Sequence, residues 1–219
     1  MRRAELGRKF LHTGIVLLVA LFFVQCDKED DYVYPDVLTD FMDLHTNDES
    51  VIDYIRPDVS GMLSLNHRLS GQGLKEDTVY RAVGMYSLPD AEGRTSVYSV
   101  SLVYAEPPVR LGEGLTLLAD PLNIESVYRG GDYLNVVAQP MMQSIPHSYT
   151  FAEDSLVSNG GCTRLYLKLG HSRNGDRESF PRRVYLSVPL KSYALSAGDT
   201  IVFRANVYDK GLKEWRVAY

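Results

Sequence analysis

From Tyr34 onward, apolar and polar residues alternate mostly with a period of two rather than 3.6. In "TVYRAVGMYSL" (78–88), Val79, Val83 and Met85 share one face, and Tyr80, Ala82, Tyr86 and Leu88 share the other. "SVYSVSLVYA" (96–105) aligns Tyr98, Val100, Leu102 and Tyr104. "TRLYLKLGHS" (163–172) sets Leu165, Leu167 and Leu169 against Tyr166 and Lys168. "RVYLSVPLKSY" (183–193) aligns Val184, Leu186, Val188 and Leu190, and "TIVFRANVYD" (200–209) aligns Ile201, Phe203, Ala205 and Val207. Successive side chains on a strand point to opposite faces, so this pattern predicts half-buried antiparallel strands. No window of about twelve residues carries a helical period. The predicted class is all-β.

Turn chemistry supports the assignment. "RNGD" (173–176) lies between two strand-like runs, and Asn-Gly suits a hairpin because both central positions favour positive φ. "DKG" (209–211) serves the same purpose before the last run, "EWRVAY". A boundary is expected within "LGEGLTLLADPLNIESV" (111–127). Before it, runs at 34–45, 51–56, 61–68, 78–88 and 96–105 fit an OB-like five-stranded barrel over residues 34–118. After it, six or seven strands suit an immunoglobulin-like β-sandwich over residues 119–219.

The first 25 residues follow another logic. Arg2, Arg3, Arg8 and Lys9 form a basic start, and "GIVLLVALFFV" (14–24) follows as a short apolar block. A membrane-spanning helix takes roughly 20 apolar residues. The shorter block matches the apolar region of a secretory signal. Cys26 follows directly, and the arrangement resembles a bacterial lipoprotein signal, cleaved before a cysteine that receives diacylglycerol. Val24 and Gln25 stand where that pattern usually has small residues. Residues 1–25 are thus expected to be a cleaved lipoprotein signal peptide, and 26–33 a lipidated cysteine with an acidic tether. The run Asp27, Lys28, Glu29, Asp30 and Asp31 resembles a surface-export signal of lipoproteins in some anaerobic Gram-negative bacteria.

Cleavage leaves 19 Lys and Arg against 27 Asp and Glu, a net charge of −8. Such a chain has no electrostatic footprint for nucleic acid, and it would not adhere to anionic lipid by charge. Its membrane partner is the bilayer, through acyl chains on Cys26, at about 0.8 kcal/mol per buried methylene. Cys162 then has no disulfide partner and is expected to pack as a small apolar residue at a strand start.

Motifs for chemistry are few. The sequence holds no nucleophile elbow, no H-E-x-x-H, no phosphate-binding loop and no Cys-x-x-Cys pair. "GQG" (71–73) and "GEG" (112–114) read as turns. His45, His67, His147 and His171 lack the close spacing that preorganises metal ligands, so no metal or other cofactor is expected. His171 reads as a polar strand-end residue. Loop acids Asp90, Glu92, Glu113, Asp132, Glu153, Asp154, Asp176 and Asp199 are candidates for a glycosidase pair, which needs carboxylates about 5–9.5 Å apart. Among the fifteen tyrosines, most suit cross-strand packing, and Tyr128, Tyr133 and Tyr149 near loops are candidates for contact with a sugar or a protein.

The acidic tether, "YPDVLTDFMDL", "IESVYRGGDYLNVV", "LYLKLGHSRNGD", "VYLSVPL" and the closing "WRVAY" together resemble the NigD-like lipoproteins. That resemblance implies an OB-type domain followed by a β-sandwich behind a lipid-modified cysteine, and an association with bacteriocin immunity. It supplies no catalytic residues. The function expected is non-catalytic binding of a protein or glycan at the cell envelope, lipid-anchored to the outer membrane and exposed at the surface. An envelope or host-glycan hydrolase using loop carboxylates is the alternative, and a structural envelope component is a third.

Overall fold

The computed structural model describes residues 36–112 and 116–219. The expected lipidation site Cys26, the run Asp27 to Asp31 and the loop acid Glu113 lie outside them. The described residues fall within one compact unit, Asp36–Tyr219. They contain no α-helix, only strands and one 3-10 turn at Lys191–Tyr193. The all-β expectation holds.

Six strands form the first sheet: β1 (Val37–Thr46), β2 (Ile52–Pro57), β3 (Leu63–Leu69), β4 (Val79–Ser87), β5 (Arg94–Thr95) and β6 (Val97–Leu102). Their order is β5-β3-β2-β1-β4-β6. Only Ser96 separates β5 from β6, so one stretch of chain sits at both ends of this order. β5 pairs parallel with β3 at Ser64↔Arg94 and Leu65↔Thr95, and β6 pairs antiparallel with β4. The sheet curls there into a partly closed barrel of five chain segments, the number of runs read from the sequence, with the seam held by the two β3–β5 pairs. Its interior holds Met42, Leu44, Ile52, Ile55, Leu63, Ala82 and Tyr86. On β4 the buried set is Ala82, Gly84 and Tyr86, one of the two faces the alternation offered, with Arg81 buried on the other.

The remaining strands are β7 (Val109–Arg110), β8 (Asn123–Gly130), β9 (Tyr133–Gln139), β10 (Met141–Met142), β11 (Ser148–Asn159), β12 (Cys162–Ser172), β13 (Phe180–Pro181), β14 (Val184–Pro189), β15 (Thr200–Val207) and β16 (Gly211–Ala218). A five-stranded sheet, β16-β15-β12-β11-β7, packs over the three-stranded sheet β14-β9-β8, and β10 pairs with β13. Leu165, Leu167 and Leu169 of β12 and Ile201, Phe203 and Ala205 of β15 form one wall of the core. Leu134, Val136 and Ala138 of β9 and Leu186 and Val188 of β14 form the other. The faces of β12, β14 and β15 are those read from the sequence. Hydrophobic patterning sets which face turns inward, since a one-residue slip would expose the whole set.

Three expectations fail locally. Cys162 does open β12, but it is exposed and packs in no core. Asn174 and Gly175 adopt φ of 54° and 81°, as the Asn-Gly turn requires. The chain beyond them does not return along β12, whose neighbours β11 and β15 occupy both its edges. His171 is 1 % exposed, a core residue rather than a polar strand end.

Candidate functional site

Arg81 projects from β4 toward the sandwich with its side chain 3 % exposed. All five of its N–H donors find acceptors. Nη1 donates to Asp43 Oδ1 at 3.1 Å and Asp58 Oδ1 at 2.8 Å. Nη2 donates to Asp58 Oδ2 at 2.5 Å and Asn135 Oδ1 at 3.0 Å, and Nε donates to Ser187 Oγ at 3.3 Å. The guanidinium also lies over the Tyr133 ring at 3.9 Å. Asn135 closes the network, donating from Nδ2 to Asp58 at 2.6 Å and accepting from Ser187 Oγ at 2.8 Å. Asp43 and Asp58 come from the barrel, and Asn135 and Ser187 from the sandwich. Gly130 makes room, since a Cβ there would lie 2.1 Å from Asp58 Oδ2. A network with every donor used is a joint, and it offers no free group for chemistry.

A second buried cluster lies in the sandwich. His171 Nδ1 contacts the Asp120 carbonyl at 3.0 Å, and its Nε2 lies 2.8 Å from His147 Nδ1. A carbonyl only accepts, so His171 carries its proton on Nδ1 and His147 donates from its own Nδ1. His147 Nε2 stands 3.4 Å from Asp176 Oδ2. Burial lowers the His171 pKa, and Tyr149 stacks on its ring at 5.3 Å. Burial alone pushes the Tyr149 hydroxyl up to about 12. Asp176 accepts the N–H groups of Gln143, Ser144 and Ile145, which hold its carboxyl well below the usual range. Among the described residues, no group of three or more His, Cys, Asp or Glu is arranged to hold a metal ion.

The other acids expected in loops are similarly engaged, although Glu153 and Asp154 lie within β11 and not in a loop. Asp90 accepts the Glu92 and Arg94 N–H groups, and Glu92 pairs with Arg94. Asp132 lies 3.8 Å from Arg56. Glu153 accepts from Tyr193 Oη at 3.1 Å. Asp154 pairs with Lys168 and Arg204, and Asp199 accepts the N–H groups of Thr163 and Ser196. These acids are spread among separate turns and ion pairs.

The tyrosines separate more sharply. Tyr133 stacks on Arg81 and Tyr149 is half-buried against His171, while Tyr128 borders an open groove of ≈ 310 Å³ between barrel and sandwich. Phe41 lies at its base, with Tyr128 and Tyr185 meeting it edge-on at centroid distances of 6.2 and 5.7 Å. Asp40, Glu125 and Arg183 supply the charged groups of the lining. Arg183 holds Glu125 by two hydrogen bonds of 2.8 and 3.0 Å, and Gln139 donates to the same carboxylate. Asp40 is in no ion pair among the described residues; burial, and next the nearby Asp58, raise its pKa. Its place near a loop marked Tyr128 as one candidate among several. Asp40, Phe41 and Tyr185 gave no local signal, because the groove is assembled from distant parts of the chain.

Comparison with known proteins bears on this architecture. Residues 115–219 match the family model of the NigD-like C-terminal beta sandwich domain. Residues 115–219 are a NigD-like C-terminal β-sandwich domain. A NigD-like immunity protein from Bacteroides caccae is 26% identical, with a TM-score of 0.65 over 84% of this chain and 94% of that one. A protein of unknown function from Bacteroides vulgatus shares the fold at 19% identity and a TM-score of 0.66, over 84% of this chain and 90% of that one. A candidate lipoprotein from Bacteroides fragilis shares it at 9% identity and a TM-score of 0.59, over 84% and 98%. Curated proteins include no match to the chain.

Proposed function

We propose that this NigD-like chain is a lipid-anchored envelope protein that acts by binding a protein partner, in the manner of an immunity protein. The aromatic groove between barrel and sandwich carries the reading. Tyr128 and Tyr185, backed by the buried Phe41, combine large apolar surface with few rotatable bonds, which suits a contact surface, and Tyr is enriched at protein interfaces. The name borne by the Bacteroides caccae relative supports an immunity role. Hydrolysis of a glycosidic bond needs two working carboxyl groups. In the groove Glu125 is already committed to Arg183 and Gln139, leaving Asp40 alone. Binding is therefore favoured over catalysis.

The anchor of this proposal is Cys26, with Asp27, Lys28, Glu29, Asp30 and Asp31 as the export instruction and the outer-membrane surface as the destination. Its mature part would divide into a barrel over 34–118 and a sandwich over 119–219. Cys26→Ser is expected to leave the protein unlipidated and off the membrane; membrane-bound protein of mature size would refute the anchor. For the function, cells lacking the gene should lose survival against a toxin from a neighbouring strain. Complementation by the Tyr128→Ala, Tyr185→Ala double variant should restore protection at least about tenfold less well than the native gene, as for a central aromatic contact. Full protection by a variant present at the same level would exclude the groove, and unchanged survival of the deletion strain across a toxin panel would exclude the immunity role.

A further inference from the structure

We infer that β6 is a self-pairing edge, through which two copies of this chain join their barrels strand to strand. This goes beyond the groove and does not rest on it. Val103 N–H donates to Arg81 O at 3.0 Å, continuing the ladder in which Ser99 faces Met85 and Ser101 faces Val83. In an antiparallel ladder, backbone groups alternate between the partner and the opposite edge. Ser99, Ser101 and Val103 therefore bond to β4, and the N–H and C=O groups of Val100 and Leu102 point away from it. Among the described residues β6 has no second neighbour, because β3 pairs only with β5 at this seam. The side chains are as open as the backbone: Tyr98 is 50% exposed, Val100 39% and Leu102 61%.

Protein sheets usually blunt such an edge with charge, proline or cover. Four other edges here follow that rule. β16 carries Lys213, Glu214 and Arg216, β8 carries Glu125 and Arg129, and β3 carries His67 and Arg68. β14 has no charged residue, but Tyr104 covers it by accepting the Ser187 N–H. β6 has neither charge nor cover, and the sequence from Thr95 to Ala105 contains no Asp, Glu, Lys, Arg or His.

The occupant that fits is the same strand. Two acidic copies repel, so their contact must be neutral, and this stretch is. A two-fold axis at Val100 sets Val100 against its own counterpart and Tyr98 against Leu102 of the second copy. Both of these crossings are apolar, with Ser99 facing Ser101 between them, and an isologous contact closes at two subunits. A stable dimer normally hides about 800 Å² per partner, which one short strand edge does not reach. The pairing is accordingly weak and reversible, with a Kd on the order of 0.1 mM.

The test uses the chain lacking residues 1–26, which keeps the compact unit Asp36–Tyr219 whole. Sedimentation should show a monomer–dimer equilibrium over this concentration range, and Val100→Lys should abolish it while circular dichroism and Tm stay unchanged. In a Cys162→Ser background, Val100→Cys should form a disulfide-linked dimer at least about tenfold faster than Leu88→Cys, a comparably exposed control, because a hydrogen-bonded pair spaces Cα atoms at about 5.5 Å. Dimers that survive Val100→Lys, equal cross-linking of the two cysteine variants, or a monomer up to about ten times that Kd would each overturn the inference. A monomer whose β6 binds only another protein's strand would overturn it as well.

Discussion

Arg81 has acceptors for all of its donors, and two of them are carboxylates that would be left buried without it. Removing one member of such a buried set costs about 3–5 kcal/mol, more than the pair contributes over an apolar replacement of all members. Arg81→Met should lower stability by that amount in urea unfolding, and Arg81→Lys should fail to restore it, because an ammonium has three donors and no planar fork. Gly130→Ala meets the same cluster and should cost about 1–3 kcal/mol by overpacking against Asp58. The histidines add a pH term. His171 has a folded pKa below its unfolded value, so the unfolded chain binds the extra proton as pH falls. Its contribution is complete above about pH 6.5 and is lost progressively below it. His171→Gln should flatten that part of the stability–pH curve while leaving the steeper acid loss, through Asp176 and the other low-pKa carboxyls, near pH 4 and below. None of this was visible in "TVYRAVG". Arg81 occupies an ordinary outward strand position, and its partners lie 23, 38, 54 and 106 residues away in sequence.

At the scale of elements, alternation was the readable signal, because a strand's period survives any tertiary arrangement. The core faces of β12, β14 and β15 could be written down from it. What it could not show was which exposed faces would be covered by another part of the chain. β6 has the same apolar alternation as β15, yet one is exposed beyond Val97 and the other is buried. The difference lies in the partner layer, which no local pattern records. The Asn174-Gly175 turn shows a similar limit: its backbone was predictable, but its use was not. Asp176 directly behind it caps the N–H groups of residues 143–145. Gly175→Ala should cost about 1–2 kcal/mol for its positive φ. The accompanying rise in hydrogen exchange should appear at Gln143, Ser144 and Ile145 rather than along β12, whose ladders are independent of the turn.

In the whole molecule, barrel and sandwich keep separate apolar cores. They are coupled by the Arg81 network, by Phe41 against Tyr128 and Tyr185, and by Tyr104 on β14. That coupling should give one calorimetric transition, with van't Hoff and calorimetric enthalpies equal. Arg81→Met should split it into two, and a single sharp transition in that variant would show that the remaining contacts suffice. The sheet order has a mechanical consequence. β1 is the first strand after Asp36 and lies inside the barrel sheet, between β2 and β4. A pull arriving through the residues before Asp36 acts along β1 and loads both of its ladders in shear. The nine register pairs from Val37↔Ser87 to His45↔Val79 then share the force instead of opening in turn like a zip. Under tension the chain should yield late and abruptly, at the strand where the load enters.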